Sequence, residues 1–450
     1  MKKSLLWIPF LLFVISSCHR KQSPLNLSDS KVTKISDSLD LSFLIHQWNS
    51  TITDIMVGDG FSPLLASRTY AYPNIAAFEV LQEGKKKNSP NETPFNGLEV
   101  LPQPDSAKAY CYELAAVQAF ATVSKKLVYR EQGCDELLVK HISYFKDSLH
   151  LDEEIVKNSL EYGTAVGVGI LKWAKEDQYA QTKAKPKYLF STAPGKWSPT
   201  PSEFRSALEP FWGTLRTFSG INPLENSVPF EIPFSEKKGS KFYKLVDDVY
   251  QQSKTITDEE KSIALYWDDN PDQMIFKGHV PTTRRRISPT AHWIGITGES
   301  CKEAKLKLEE TVRCYMLASV SIADALICCW HQKYETNLIR PVTYITKNID
   351  QDWMPFIVTP PFPEHTSGHA SVSFSCATVL TSIFGENHHF TDKSLVEYGL
   401  TERSFNSFYE AAEQAAISRF YAGIHYTTGL EGGKQQGKKT GAFVVNSFKK

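Results

Sequence analysis

A helical period returns along nearly the whole chain, and it restricts the fold more than any other feature. Apolar residues recur at a spacing of about 3.6 residues in 106–128, 135–148, 152–176, 240–252 and 302–337. Thr257-Asp258-Glu259-Glu260, just ahead of Ile263 and Leu265, has the form of a capping box, with Thr257 as N-cap and Glu260 three residues on. Alternating runs of the kind that build strands are scarce. The pattern predicts an all-α protein.

One long passage interrupts it. Eight of the 24 prolines lie from Pro186 to Pro233. So long a non-helical stretch reads as a functional surface loop or a crossing between lobes. It divides the chain into an N-terminal helical half, 41–235, which carries the loop, and a C-terminal helical half, 236–450.

The first residues stand apart from the fold. MKKSLLWIPFLLFVISSC has Lys2 and Lys3, an apolar run from Leu5 to Ile15 and small residues before Cys18, which is the form of a secretory signal. The run is shorter than the ~20 residues a bilayer span needs. Ile15-Ser16-Ser17-Cys18 resembles a bacterial lipobox, in which the cysteine is lipidated; a plain signal with a chance cysteine has the same outline. Residues 1–18 are read as the signal and 19–40 as a flexible tether. The mature chain is expected outside the cytoplasm, held to a membrane only by lipid on Cys18. No long apolar span is expected after the signal.

Lys+Arg and Asp+Glu balance at 50 each, so no overall field favours nucleic acid. The seven remaining cysteines include no CxxC pair and read as small core residues. No G-x-S-x-G elbow or P-loop is present.

Three stretches concentrate the chemistry. The first runs from Asp324 through Trp330, Lys333 and Arg340 to Pro341. The second is Pro360-Pro361-Phe362-Pro363-Glu364-His365-Thr366-Ser367-Gly368-His369. The third is Ser418-Arg419, followed by Gly423 and His425. Lys333 and Arg340, seven apart, are expected on one helix face. With Arg419 they offer three cations, and arginine presents a fork of donors suited to a tetrahedral oxyanion. Ser367 and Gly368 open a helix, where free N–H groups favour an anion. His369 and His425 can serve as acid/base and as nucleophile or ligand. His365 with His369 has a spacing that can bind zinc, but the turn between them argues for a His365 at the pocket rim or facing solvent. Glu386-x-x-His389 finds no second copy and reads as a loop. Asp324 either pairs with a site cation or caps a polar spot in the core.

The order K-x6-R-P, S-G-H, S-R-x5-H resembles the shared motif of the vanadium haloperoxidases and the type 2 phosphatidic acid phosphatases. The finer match, D-A-x4-W-x2-K-x6-R-P and P-P-F-P ahead of Ser-Gly-His, is to the haloperoxidase branch. SPLLASRTYAYPNIAAFE (62–79), Gly278-His279 and Ser288-Pro289 are also similar to its bacterial members. The resemblance implies a double helical bundle. It implies an oxyanion, vanadate or phosphate, held by Lys333, Arg340, Ser367, the Gly368 N–H and Arg419. His425 would be the vanadium ligand or the attacking nucleophile, and His369 the acid/base. Trp330, Phe362 and Asp324 would belong to the pocket. Two positions depart from the pattern. Thr366 replaces a proline before Ser-Gly-His, and thronine is itself a good N-cap. Gly429 stands where many members carry an aspartate that orients the last histidine; Glu431 or a backbone carbonyl is the expected substitute.

Three functions are compatible with these residues. One is a haloperoxidase using vanadate, peroxide and halide. The second is a soluble phosphatase acting on phosphate esters through a phosphohistidine, with no cofactor. The third is an inactive oxyanion-binding lipoprotein.

Overall fold

The computed structural model describes residues 39–84, 94–271, the backbone of 273–277 and 280–284, and 286–449. The signal, Cys18, most of the tether, Gly278 and His279 lie outside the described residues.

Helices dominate the described chain, and strands are few. The N-terminal half contains α1 (Ser42–Asp59), α2 (Pro63–Glu83), α3 (Tyr112–Leu127), α4 (Gln132–Ser143), α5 (Glu153–Lys175) and the short α6 (Tyr179–Lys183). The C-terminal half contains α7 (Lys241–Thr255), α8 (Asp258–Tyr266), α9 (Pro289–Glu303), α10 (Leu308–Thr336), α11 (Pro341–Asn348), α12 (Gly368–Phe384), α13 (Phe408–Tyr421) and α14 (Thr427–Ser447). Two short antiparallel hairpins, 273–284 and 390–405, are the only sheets among the described residues.

The sequence patterns place α3, α4, α5, α7 and α10 within about six residues at either end, and the starts of α8 and α12; the other helices match no run read from the sequence. The capping box forms as expected: the Thr257 side chain accepts from the Glu260 N–H, and Glu260 accepts from the Thr257 N–H at 2.8 Å. The run 302–337 is not one helix. The chain leaves α9 after Glu303, passes Lys305 at positive φ and restarts at Leu308. All seven described cysteines are free and buried.

α10 is the central strut. It packs on α1, α2, α9, α12 and α14. It is long and apolar enough to cross a membrane, contrary to the expected absence of such a span, yet 94% of its most apolar window is buried inside the protein. Burial explains the composition, since a helix enclosed on all sides is apolar all round. One continuous hydrophobic core joins both halves through it.

A glycine ridge brings the start of α14 to the start of α12. A Cβ on Gly433, Gly437 or Gly441 would lie 2.6, 2.4 or 2.5 Å from the carbonyl oxygens of Ser367, Ser371 and Ser375. Each helical glycine costs about 1 kcal/mol relative to alanine; here the missing Cβ lets two backbones pack in parallel contact. The Ser367 N–H donates to the Gly429 carbonyl at 2.9 Å. Ser-Gly-His and His425 therefore arrive at one end of one helix pair.

Candidate active site

Ser367 is the N-cap of α12, its hydroxyl accepting from the Ala370 N–H at 3.4 Å. Thr366 is not the cap. Its hydroxyl donates to Gln436 Oε1 at 2.8 Å. Lys333 and Arg340 do not share a helix face. α10 stops at Asn337 in the left-handed conformation, and Arg340 is the N-cap of α11 with Pro341 at its first position. The break still delivers both cations to the same place.

Lys333 and Arg340 are both fully buried. Lys333 Nζ donates to the carbonyls of Pro363 and Glu364 at 2.9 and 3.0 Å. Arg340 Nε donates to the Phe362 carbonyl and Nη1 to the Ile424 carbonyl, at 2.8 and 2.7 Å. Arg419 Nη1 donates to the Trp267 carbonyl at 2.7 Å. The Phe362 ring lies 5.0 Å from Lys333 Nζ and 5.1 Å from the Arg340 guanidinium carbon, and 4.9 Å from the Trp330 ring. Burial and the neighbouring Arg340 charge lower the Lys333 ammonium to about 7, against the pull of Glu364.

These groups surround a cavity of about 220 Å³ lined by Trp330, Phe362, Gly368, His369, Arg419 and His425. Lys333, Arg340 and Ser367 are buried behind that lining. Arg205 and Leu208 of the Pro-rich passage form part of the wall, and the Leu208 carbonyl accepts from Trp330 Nε1 at 3.2 Å.

Asp324 is not in the cavity, contrary to its assignment to the pocket. It is fully buried in α10, and its carboxylate accepts from the Phe218 N–H, the Ser219 N–H and the Ser219 hydroxyl at 2.7, 2.9 and 2.5 Å. It caps a polar spot and ties the Pro-rich passage to α10. His365 is neither at the pocket rim nor in solvent: it is buried outside the cavity lining, its Nε2 bonded to the Val228 carbonyl at 2.7 Å. No metal-binding cluster of His, Cys, Asp and Glu occurs among the described residues. Glu386 and His389 lie in the turn after α12.

The partner of His425 is Glu364. Glu364 Oε1 is 2.7 Å from His425 Nδ1 and accepts from the Tyr426 N–H at 3.0 Å. Gly429 makes room: a Cβ there would lie 2.2 Å from that same oxygen. Glu431, the expected substitute, instead accepts from Gln435 on an exposed face. On the other side of the ring, Arg340 Nη1 lies 3.2 Å from His425 Nε2. A carboxylate on one nitrogen and a guanidinium on the other select the tautomer with hydrogen on Nδ1 and a lone pair on Nε2. Burial, then the Arg340, Lys333 and Arg419 charges, hold the imidazole neutral by lowering its pKa well below the usual value.

His369 is set by a backbone group. Its Nε2 is 3.0 Å from the Trp267 carbonyl. A carbonyl can only accept, so Nε2 carries hydrogen and Nδ1 is the nitrogen able to exchange a proton. Burial, then Arg419, lowers the His369 pKa well below the usual value. Glu364 and Trp267 escaped the sequence reading. A carboxylate amid prolines just before Ser-Gly-His was the available signal for Glu364; Trp267-Asp268-Asp269 carried none tied to the motif.

The donor set fits a tetrahedral oxyanion. Arg340 Nη2 and Arg419 Nε are buried with no hydrogen-bond partner in the protein. Buried guanidinium N–H groups are costly to leave unmet, and an anion between these cations answers them.

The chain aligns over 90% of its length, and over 96% of the other chain, with a bacterial vanadium-dependent iodoperoxidase, at 38% identity and a TM-score of 0.84. The chain belongs to the vanadium-dependent haloperoxidase family. A family model described as the VCPO second helical-bundle domain matches residues 346–450. The holo and apo forms of a bacterial vanadium-dependent chloroperoxidase share the fold. Their TM-scores are 0.63 and 0.62 and their identities 15% and 16%, over 86% of this chain and 92% and 94% of theirs. No curated protein sequence matches. As a member of the family this chain is a haloperoxidase, and its all-helical architecture is the family's.

Proposed function

We propose that this haloperoxidase oxidises halide with hydrogen peroxide, iodide foremost, and that it binds vanadate on His425 Nε2. The reading rests on one observation: a neutral His425 presents a lone pair among three buried cations, two of which keep unpartnered N–H groups. Likeness to an iodoperoxidase at 38% identity supports iodide as the halide. Overall, one halide ion, one peroxide and one proton give hypohalous acid and water.

In this reading Lys333, Arg340, Ser367, the Gly368 N–H and Arg419 hold the oxyanion by charge and donated hydrogen bonds. Bound there, vanadate supplies the Lewis acidity that activates peroxide. Glu364 keeps hydrogen on His425 Nδ1. His369 Nδ1 takes a proton from the incoming peroxide and returns one to the departing oxygen. Phe362 and Trp330 keep water from the cations.

The test is peroxide-dependent oxidation of iodide and bromide by the mature chain, with and without orthovanadate. Vanadate-dependent oxidation supports the proposal. Hydrolysis of phosphate esters, with no halide oxidation at any vanadate level, would make the chain a phosphatase. We also propose export and lipid attachment at Cys18, on the form of residues 1–18. Metabolic labelling with a fatty acid should mark the wild-type protein and spare Cys18→Ser.

A further inference from the structure

Behind the cavity wall lies a histidine with no part in the reading above. His292, in α9, is fully buried. Its Nδ1 is 3.0 Å from Asp269 Oδ2 and its Nε2 is 2.7 Å from Asp392 Oδ2. Its ring stacks on Trp267 at 4.4 Å and 25°. Tyr266 donates to the same Asp392 oxygen at 2.7 Å. One imidazole therefore braces Tyr266, Trp267 and Asp269 together.

That segment holds two site residues. The Trp267 carbonyl accepts from both His369 Nε2 and Arg419 Nη1, at 3.0 and 2.7 Å. Asp269 Oδ2 lies 4.0 Å from His369 Nε2, and Asp269 lines the cavity. Ionised carboxylates only accept, so two of them facing both ring nitrogens call for hydrogen on each, and His292 is an imidazolium. Its positive charge stands between the two carboxylates.

We propose that His292 is a positioning residue for the acid/base His369: it fixes the Trp267 carbonyl and neutralises Asp269, so that His369 bonds the carbonyl and not the carboxylate. The proposal rests on the reading of His369 as acid/base, but its geometry does not. Without His292, a bare carboxylate 4.0 Å away would favour protonated His369 and raise its pKa. Burial, Arg419 and Lys333, which lower it, would remain. The expected rise is about one pH unit or more, the scale of an opposite charge within roughly 4–6 Å.

The experiment uses the full mature chain with isotopically labelled histidine. His369 is assigned by its loss in His369→Gln and titrated by NMR. In His292→Gln the His369 titration should move to higher pH. In the double variant His292→Gln with Asp269→Asn it should return to the wild-type position. A purely structural role for His292 predicts no such return. Asp269→Asn alone, which removes only one carboxylate, should leave the titration at or below its wild-type position. An unmoved His369 in His292→Gln, or a rise in Asp269→Asn, overturns the proposal. The acid limb of the halide-oxidation pH profile should follow the same order. A chain that lacks halide oxidation yet shows these NMR shifts would sink the catalytic reading and leave the positioning one standing.

Discussion

Glu364 Oε1 lies 2.7 Å from His425 Nδ1, and the space it occupies is the space a Cβ on residue 429 would fill. Glu364 thus holds the last histidine in this chain, the role that the resemblance gives to an aspartate at position 429. Burial raises Glu364 to about 7, opposed by Arg340, Lys333 and the Tyr426 N–H. Its ionisation is thus sensitive to the cations beside it. Replacing it should disturb both the orientation and the basicity of His425. We expect Glu364→Gln to lose about 10–100-fold in vanadate affinity or activity, the usual cost of removing a partner behind a ligand. Vanadate titration of iodide oxidation measures it; an unchanged affinity and rate would contradict the assignment.

The space shared by Glu364 and residue 429 predicts compensation. Gly429→Asp alone should be damaging, because its Cβ collides with Glu364. Combined with Glu364→Ala, the new carboxylate gains room near His425 Nδ1. The double variant should recover part of the activity that Glu364→Ala loses. Strict additivity of the two losses would mean that the positions do not interchange.

Arginine's forked geometry matters at residue 340. Its Nε and Nη1 are held by two carbonyls, leaving Nη2 free for an anion. Lysine keeps the charge but not the fork. Arg340→Lys should weaken vanadate binding by about tenfold or more, the scale of a lost charge-assisted bond of ~1.5–3 kcal/mol. Calorimetric titration with orthovanadate reads this directly, and equal affinities would remove Arg340 from the cage.

His292 makes stability depend on pH on the alkaline side. Burial would lower its pKa, but Asp269 and Asp392 outweigh that and raise it to about 10. An unfolded histidine titrates near 6.5. A raised folded pKa means that the contribution is complete below about pH 6.5. It shrinks as the pH climbs above that value and is lost as the pH passes about 10. Near neutrality it amounts to a few kcal/mol at most. The melting temperature of the wild type should therefore fall more steeply between pH 7 and 10 than that of His292→Gln. Parallel curves would count against the charged pair.

The ridge between α12 and α14 is a test of the fold itself. Gly437→Ala places a methyl 2.4 Å from the Ser371 carbonyl oxygen. Overpacking of this kind costs about 1–3 kcal/mol, so the melting temperature should drop. A neutral or stabilising result, as helix propensity alone would give, would show that the two helices are not in contact there.

Five helices, α3, α4, α5, α7 and α10, were legible in the sequence because their apolar residues recur at helical spacing, and the three motif segments were legible because each is local. Glu364 as the partner of His425 was not, since 61 residues separate the two and only the docking of α14 on α12 brings them together. Asp324 was assigned to the pocket because it shares a segment with Trp330 and Lys333. Its partners, Phe218 and Ser219, lie more than a hundred residues away on a passage with no period to read. The break between Lys333 and Arg340 had a local signal: the apolar run stops at residue 337, where Asn337 ends α10 in a left-handed backbone, and Pro341 opens α11. The seven-residue spacing of the two cations points to one helix face only if that stop is passed over.

The account's central claim is that His425, held by Glu364, is the residue on which vanadate binds. Equilibrium binding of orthovanadate to the wild type, His425→Ala and Glu364→Ala tests it most directly, with iodide oxidation followed in the same samples. The account predicts one vanadate per wild-type chain, weakened binding in Glu364→Ala, and loss of activity with only weak, electrostatic binding in His425→Ala. Wild-type binding and turnover in His425→Ala would contradict it.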